Sequence, residues 1–240
     1  MKIGYFTDLH FRQAVPGTSK CPERDSRRMA KVLERCLSGL RNEGVDLIIC
    51  AGDLVDAPDH PKAEKDLRII RDMVEDTSIS TIIIPGNHDP VPDAFYRIFT
   101  KPNKTMQIED CEFITFFEDV CQKDEAYSIR TDSSVKNMHV LLSKDSSKIK
   151  YTFLIQHYLI YPDHNKGYPY NYQNASAIRE VMEKSARKLF SISGHYHHGF
   201  PVTSFNGIGY FCGKAICENP FPYYILDTGG NEIIIREFKC

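Results

Sequence analysis

Five short polar clusters along the 240-residue chain combine aspartate, asparagine and histidine in arrangements that could bind metal ions. In chain order the clusters are Asp8-Leu9-His10, Gly52-Asp53-Leu54-Val55-Asp56, Gly86-Asn87-His88-Asp89, His157 and Gly194-His195-Tyr196-His197. Carboxylate, imidazole and amide groups are ligands for divalent cations, and one carboxylate can bridge two cations about 3.5–4 Å apart. The clusters therefore predict a site for divalent metal ions.

Each cluster directly follows an apolar run that predicts a strand. The runs are residues 2–6, 45–51, 81–84, 151–156 and 189–193. Helical spacing of apolar residues predicts a helix between the first two runs, and Pro61 predicts the start of a second helix before the third. This order is typical of a parallel sheet with crossover helices, in which sites form at the carboxyl ends of the strands. We therefore expect the clusters to converge.

Local geometry favours the same convergence. In an extended chain, residues i and i+2 point the same way, so Asp8 with His10, and His195 with His197, are each expected to aim two ligands at one cavity. Glycines precede Asp53, Asn87 and His195, and glycine permits the tight turns that bring backbone close to a site.

Capping signals set the expected ends of two helices. Asp25 or Ser26 is expected to cap the first helix, and Gly44 is expected to end it. Residues 175–188 predict a further helix in the second half of the chain, and Asn174 is expected to be its cap.

The middle and the tail of the chain have weaker signals. Residues 113–117 and 139–142 are β-like pieces, and Asn206-Gly207 predicts a hairpin turn in a β-rich tail. The sequence contains neither a Gly/Ser linker nor an internal repeat. Residues 1–240 are therefore expected to form a single domain.

Composition excludes several classes of protein. Thirty Lys and Arg residues against 32 Asp and Glu residues give a formal charge of −2, which disfavours nucleic acid as a partner. No run approaches the ~20 apolar residues of a membrane span, and the first apolar run is too short for a signal peptide. The eight cysteines form no C-x-x-C motif, which excludes a zinc finger and favours a reducing, cytoplasmic location.

The clusters together resemble the calcineurin-like metallophosphoesterase superfamily, whose pattern is D-x-H, GD-x-x-D, GNH-D/E, H and GH-x-H. All five elements are present in that order, and the resemblance extends from residue 2 to about residue 227. It implies an α/β fold, a four-layer α/β/β/α sandwich of two mixed sheets flanked by helices. It also implies a dinuclear metal-dependent hydrolase of phosphate esters, similar to the small bacterial phosphodiesterase and phosphatase branch.

Carried over to this sequence, the resemblance implies ligands for two metal ions. The first ion would be held by Asp8, His10, Asp53 and His197, and the second by Asp53, Asn87, His157 and His195, with Asp53 as the bridge. A hydroxide that bridges the two ions is the expected nucleophile, because two cations lower the pKa of bound water. His88 is the implied general acid or charge stabiliser at the leaving group, with Asp89 orienting it. Manganese, iron, zinc and cobalt all suit such ligands.

Other polar residues have simpler interpretations. Asp56 is expected to hold a loop, and Asp89 could equally cap a helix that begins near Pro92. The histidines outside the pattern are expected to be solvated at positions His60, His139 and His164, and structural or at the substrate rim at His198. Arg12 and Lys20 could meet a phosphate, although surface-loop charges are usually only solvated.

A tyrosine-rich loop over residues 158–173 follows His157 directly and contains five tyrosines. Two interpretations stay open for it. As a substrate-facing lid, it would stack its rings on a nucleoside beside the metal ions. As a structural loop, it would only pack onto the body of the protein.

The leading functional hypothesis is an enzyme that acts on a small-molecule phosphate ester, with a phosphodiester slightly favoured and a nucleotide as one candidate. Protein phosphatases of this superfamily read GD-x-V-D-R-G and GNHE, whereas here Asp56 is followed by Ala57-Pro58, and His88 by Asp89. A DNA nuclease of the same fold is the alternative, disfavoured because the chain has room for neither a capping domain nor a basic groove. A non-catalytic scaffold is disfavoured because every ligand position is present. The oligomeric state stays open.

Overall fold

The protein is described here by a computed structural model that covers residues 1–117 and 128–240, together with the backbone of residues 120–121. The helices are α1 (Met29–Asn42), α2 (Ala63–Glu75), α3 (Pro92–Phe95), α4 (Asp132–Leu142) and α5 (Ala175–Glu183). The strands are β1 (Lys2–Phe6), β2 (Leu47–Cys50), β3 (Ser80–Ile83), β4 (Thr105–Ile108), β5 (Cys111–Phe116), β6 (Val120–Cys121), β7 (Ser128–Ile129), β8 (Tyr151–Gln156), β9 (Leu189–Ser193), β10 (Phe200–Phe205), β11 (Ile208–Cys212), β12 (Pro222–Asp227) and β13 (Ile234–Lys239).

The strands form two mixed sheets and a separate antiparallel pair of β6 and β7. The first sheet has the order β13-β12-β1-β2-β3, in which β1, β2 and β3 are parallel and β12 and β13 are antiparallel additions. The second sheet has the order β10-β11-β9-β8-β5-β4, with β5, β8, β9 and β11 parallel and an antiparallel strand at each edge. The two parallel centres bring five chain segments to the same end of the molecule.

The two sheets pack face to face, with helices on their outer faces. In β2, Ile48 and Cys50 pack beneath α1 and α2, whereas Leu47 and Ile49 point into the layer between the sheets. In β8, Leu154 packs against α4 and α5 instead. Burial on both faces explains why these strands are continuous apolar runs. The four-layer α/β/β/α architecture implied by the sequence is therefore confirmed.

The hairpin signal and the expected end of the first helix are confirmed, whereas the helix expected over residues 175–188 ends at Glu183. Asn206 and Gly207 have φ of 49° and 76° and join β10 to β11, as an Asn-Gly turn predicts. Gly44 has φ of 66°, and its N–H donates to Arg41 O at 3.0 Å just beyond α1. In the described residues, no helix is both long and apolar enough to cross a membrane.

The strand-like prediction for residues 139–142 is wrong, because this stretch is the last turn of α4. The hydroxyl of Thr131 accepts the Ser134 N–H at 3.2 Å and caps the helix. Ser134, Met138 and Leu142 then recur every four residues and are buried. This helical spacing outweighs the β-branched Val140, which is exposed.

Two expected caps are also wrong. α1 begins at Met29, and neither Asp25 nor Ser26 caps it with a side chain. Asn174 precedes α5, but its amide instead accepts the backbone N–H of Arg130 at 3.1 Å and donates to the Arg130 carbonyl at 2.7 Å. The Asn174 side chain thus binds the backbone of a residue distant in sequence, and not the N-terminus of α5.

One buried hydrogen bond ties the two sheets together next to the polar clusters. Tyr5 in β1 is fully buried, and its hydroxyl donates to the carbonyl of Ser193, the last residue of β9, at 2.6 Å. Since Gly194 and His195 follow Ser193, this bond fixes the loop after β9 of the second sheet relative to β1 of the first sheet.

Replacing Tyr5 with phenylalanine is expected to lower the free energy of unfolding by about 1–3 kcal/mol, because a buried carbonyl loses its partner. Urea denaturation followed by circular dichroism measures the change. The matched control is Tyr151→Phe, which removes a partly buried bond to Asn231 O of similar length, 2.7 Å. An equal loss in both variants would contradict a special role for the link between the sheets.

Candidate metal centre

The five polar clusters lie in loops that directly follow parallel strands of both sheets. The first three follow β1, β2 and β3 of the first sheet, and the last two follow β8 and β9 of the second. Because the carboxyl ends of these strands meet at one end of the sandwich, the clusters converge as predicted.

The first group of side chains consists of Asp8, His10, Asp53 and His197. The Nε2 atoms of His10 and His197 are 3.1 Å apart. The His197 Nε2 lies 3.5 Å from Asp8 Oδ1, and the His10 Nε2 lies 3.6 Å from Asp53 Oδ2. Asp8, His10 and Asp53 are almost completely buried, with at most 1% of their surface exposed. The four side chains thus point at one another around a small space.

The second group consists of Asp53, Asn87, His157 and His195. The His157 Nε2 lies 3.4 Å from Asp53 Oδ1 and 3.0 Å from the amide oxygen of Asn87. Asp53, His157 and His195 each present a nitrogen or oxygen within 4.8 Å of the others. Asp53 therefore has one oxygen facing each group, which is the geometry of a bridging carboxylate.

The side chains converge through strained loop backbone, not through extended chain. Asp8, His10, Asp53 and His195 all have positive φ, between 44° and 69°. Residues other than glycine rarely adopt this conformation, and its occurrence clusters at functional sites. Asp8 and His10 do lie in the same group, but positive φ angles bring them together and not the alternation of an extended strand, as was expected. His195 and His197 in fact join different groups.

All three cluster glycines are required by close packing, and a Cβ at Gly52 would lie 2.6 Å from the Nδ1 of His157. A Cβ at Gly86 would lie 2.2 Å from Asp53 Oδ1, and one at Gly194 would lie 2.2 Å from the hydroxyl of Thr7. Any side chain at one of these positions would therefore displace a group of the site. The prediction that these glycines allow close backbone approach is confirmed.

Neighbouring charges outweigh the effect of burial on the pKa of Asp8 and His157 but add to it for His195. Burial alone would raise the pKa of Asp8, but the hydrogen bond and charge of His197 outweigh it and lower the pKa to about 2. Burial would lower the pKa of His157, but the charge of Asp53 outweighs it and raises the pKa to about 9. For His195, burial and the charge of His157 act together and lower the pKa to about 3. Asp8 is therefore ionised and His195 neutral near pH 7.

These observations fit divalent cations. The Nε2 atom of His195 is buried and has no hydrogen-bond partner in the part of the chain that the structure describes. An unpaired buried polar atom costs about 1–3 kcal/mol, and a cation would remove that cost. The facing imidazoles and carboxylates form a nitrogen and oxygen donor set that divalent metals accept. The residues of both groups are therefore suited to hold metal ions, and their individual roles as ligands stay a prediction.

His88 lies at the edge of the first group. Its ring meets the His10 ring edge-on with centroids 4.8 Å apart, and its side chain is only half-buried. Its backbone N–H donates to Asp53 Oδ1 at 2.7 Å. His88 is thus placed beside the groups and open to a substrate, as a proton donor requires.

Asp89 ties two of the loops together. Its carboxylate accepts the backbone N–H groups of Leu54, Val55 and Gly86 at 2.9–3.2 Å. Burial and the charge of Asp53 raise its pKa to about 7. The alternative role as a helix cap is wrong, since α3 has no side-chain cap. In the described residues Asp89 shares no hydrogen bond with His88, so any orienting effect passes through the loop backbone.

Asp56 holds the loop after the first cluster, as expected. It accepts hydrogen bonds from Arg12 Nε at 2.9 Å and from the Ser19 hydroxyl at 2.8 Å, and Arg24 lies 3.6 Å away. Arg12 is therefore engaged in a structural ion pair, whereas Lys20 is exposed.

The histidines outside the pattern differ from one another. His139 is exposed, as expected, and His60 is half-buried, with its Nδ1 accepting the Lys62 N–H at 3.1 Å. The expectation that His164 is solvated is wrong, because it stacks on the Tyr196 ring at 4.4 Å and 8°. His198 is exposed beside the same tyrosine.

The tyrosine-rich loop divides into two parts. Tyr158 and Tyr172 are buried in the core between the second sheet and its helices. Tyr168 and Tyr170 lie next to each other, and each ring centroid is less than 6 Å from that of His195. The buried Tyr158 ring also lies 4.4 Å from that of His195, so the loop borders the second group at its buried start as well as in its more exposed middle.

Several residues next to the groups were not predicted, among them Cys217, whose Sγ lies within 4.8 Å of ring nitrogens of His10 and His197. The hydroxyl of Thr7 donates to Asp8 Oδ2 at 2.7 Å, and Glu218 Oε1 lies 2.5 Å from the Nδ1 of His197. The position of Thr7, a polar residue between the first apolar run and Asp8, could have indicated its contact with the site. Glu218 lies in a later segment that matches none of the five clusters, so the sequence offered no signal for it.

Comparison with known proteins finds a matching family model and several solved structures with a similar fold. Residues 1–199 match the family model for calcineurin-like phosphoesterases. A dimetal phosphatase from Danio rerio is 12% identical, with a TM-score of 0.82 over 98% of this chain and 95% of that chain. The protein TT1561 of Thermus thermophilus is 12% identical, with a TM-score of 0.61 over 98% and 97% of the respective chains.

A further similar structure is a larger protein from Staphylococcus aureus, described as a putative 5′-nucleotidase. It is 13% identical, with a TM-score of 0.57, and the match covers 100% of this chain and 53% of that chain. No protein with a curated description is significantly similar in sequence. At such low identities the structural similarities show the fold alone.

The family match rests on the sequence itself and contains all five clusters, from Asp8 to His197. Membership implies divalent metal ions, for which the structure provides suitable side chains. The chain therefore belongs to the calcineurin-like phosphoesterase family and is a metal-dependent phosphoric ester hydrolase.

Proposed function

We propose that residues 1–240 form one catalytic domain that hydrolyses small phosphate esters with two divalent cations, one in each group of side chains. The observation that carries this proposal is the position of Asp53, whose Oδ2 faces His10 and whose Oδ1 faces His157. A carboxylate shared in this way suits two cations at a short separation. The fold similarity to a dimetal phosphatase agrees with that number.

Manganese, iron, zinc and cobalt are the candidate ions, because all of them accept carboxylate, imidazole and amide ligands. When bound, two such cations would lower the pKa of a coordinated water and neutralise charge that develops on the phosphoryl oxygens. The seven described cysteines are free thiols, which supports the proposed cytoplasmic location.

The chain's own residues would hold the cations and move a proton. Asp8 and Asp53 hold negative charge in the site, and the amide oxygen of Asn87 supplies a neutral ligand atom 3.0 Å from His157 Nε2. His88 is the group at the edge of the site that could give a proton to the leaving oxygen, or stabilise its charge. A phosphodiester is slightly favoured. A phosphoprotein is disfavoured because the residues after Asp56 and His88 depart from the protein phosphatase pattern.

A nucleotide is the substrate class that the aromatic surroundings favour. Tyr168 and Tyr170 border His195, and Tyr168 is 36% exposed. Such rings can stack on a nucleobase while the cations take the phosphate, and stacking contributes about 1–3 kcal/mol per base. The middle of the tyrosine-rich loop would then act as a substrate-facing wall.

The Asp53→Asn variant is expected to lose both cations, because a neutral amide replaces the carboxylate that faces both groups. We expect the affinity for each ion to fall by at least about 100-fold, measured by metal analysis after equilibrium dialysis against Mn²⁺. The control is Asp72→Asn, which alters an exposed ion pair with Arg71. Retention of two ions by Asp53→Asn would refute the bridging assignment.

The His88→Ala variant is expected to keep its cations but to lose turnover by about 10²–10⁴-fold on esters with poor leaving groups. The loss should shrink for nitrophenyl esters, whose leaving group needs little protonation. The control is His139→Ala on the exposed face of α4. Equal losses on good and poor leaving groups would exclude proton donation and leave charge stabilisation as the role of His88.

The double variant Tyr168→Ala/Tyr170→Ala is expected to raise KM for a nucleotide ester relative to a small ester by about tenfold or more, equivalent to about 1.4 kcal/mol of lost stacking. Steady-state kinetics on both esters gives this ratio. The control is Tyr161→Ala in the same loop, whose ring stacks on Phe205 at 4.6 Å, away from His195. A fall in thermal stability with an unchanged ratio would show that the loop is only structural.

A further inference from the structure

One carboxylate outside the five clusters contacts a side chain of the first group. Glu218 Oε1 lies 2.5 Å from the Nδ1 of His197, and both side chains are mostly buried, at 26% and 17% exposure. The carboxylate can only accept, so Nδ1 must carry the proton. The lone pair or second proton of the ring is therefore at Nε2, which faces Asp8 and His10.

The segment that carries Glu218 is fastened to the loops of the first group. The N–H groups of Ala215, Ile216 and Cys217 donate to the carbonyls of His197, Thr7 and Asp8 at 3.0–3.3 Å. Glu218 N–H donates back to Ala215 O at 3.3 Å and closes a turn. These hydrogen bonds fix the position of the Glu218 backbone relative to the backbone of Asp8 and His197.

A comparison inside the site shows what the carboxylate adds. His157, in the second group, is oriented in the same way, but its Nδ1 donates to the neutral carbonyl of Ala51 at 2.6 Å. A carboxylate partner orients an imidazole as a carbonyl does and in addition makes its other nitrogen a better donor to a metal ion. His197 and His157 therefore differ in the electronic support that their ring partners provide.

We propose that Glu218 is a positioning residue that fixes the tautomer and orientation of His197 and so raises the affinity of the first group for its cation. This inference rests on the proposed dinuclear site. It assigns a role to a segment that lies beyond the family match at residues 1–199. It also predicts that the effect of Glu218 passes through His197 alone.

The test is a calorimetric Mn²⁺ titration of the metal-free protein and of four variants. The control is Glu43→Gln, which alters a half-exposed ion pair with Arg236. Wild type is expected to bind two ions, and the control is expected to bind each of them with the same affinity as wild type. Glu218→Gln is expected to bind one of its two ions about 10–100-fold more weakly. His197→Ala should weaken that ion further. The double variant should be no weaker than His197→Ala, since the carboxylate then has nothing to orient.

A second readout is the tautomer of His197, from two-bond ¹H–¹⁵N correlation spectra of the zinc-loaded protein. The signal lost in His197→Ala identifies the residue, and it should show an Nδ1 proton in wild type and change in Glu218→Gln. If Glu218→Gln does not fold, Glu218→Asp, shorter by one methylene, replaces it with the same expected loss of affinity.

Four results would overturn the proposal. Unchanged affinities in Glu218→Gln would show that the carboxylate does not support the site. Additive losses in the double variant, or equal weakening of both ions together with a lower melting temperature of the metal-free protein, would show a general structural role. Fewer than two ions in wild type would instead refute the dinuclear site itself and this inference with it.

Discussion

The charge of Asp53 is the constraint on which the rest of the site depends. Its carboxylate is 1% exposed, and a buried charge is costly unless opposite charges and hydrogen-bond donors surround it. His88 donates a backbone N–H to one oxygen, and His10 and His157 face the two oxygens separately. Each of these groups comes from a different loop, so satisfying one carboxylate requires four loops to meet.

The two-sheet architecture makes that meeting possible. Three of the loops, after β1, β2 and β3, belong to the first sheet, and two, after β8 and β9, belong to the second. They meet at the shared end of the two facing sheets. The Tyr5 hydroxyl holds the end of β9 against β1, and the apolar layer between the sheets fixes their separation. A change in how the sheets pack would therefore move His195 and His197 relative to Asp8.

Buried acceptors then lock the loops in strained conformations. Asp89 accepts three backbone N–H groups from two loops, Asp56 binds Arg12, and Glu218 binds His197. These bonds compensate for the positive φ angles of Asp8 and Asp53. The result is a rigid set of donors whose geometry is prepared before a cation or ester binds, which reduces the reorganisation that catalysis requires.

The sequence alone determined the family pattern, the parallel strands and the glycines at positions 52, 86 and 194, because motif order and apolar runs are local properties. It also placed the hairpin at Asn206-Gly207. It did not predict α4 over residues 139–142, where the cap at Thr131 and the helical spacing of buried residues outweighed a β-branched residue. It also missed the role of Asn174, whose amide binds a tertiary backbone partner. Glu218 and the divided role of the tyrosine-rich loop were decided by tertiary structure only. Their contacts join residues distant in sequence, and no local spacing encodes which distant groups a fold brings together.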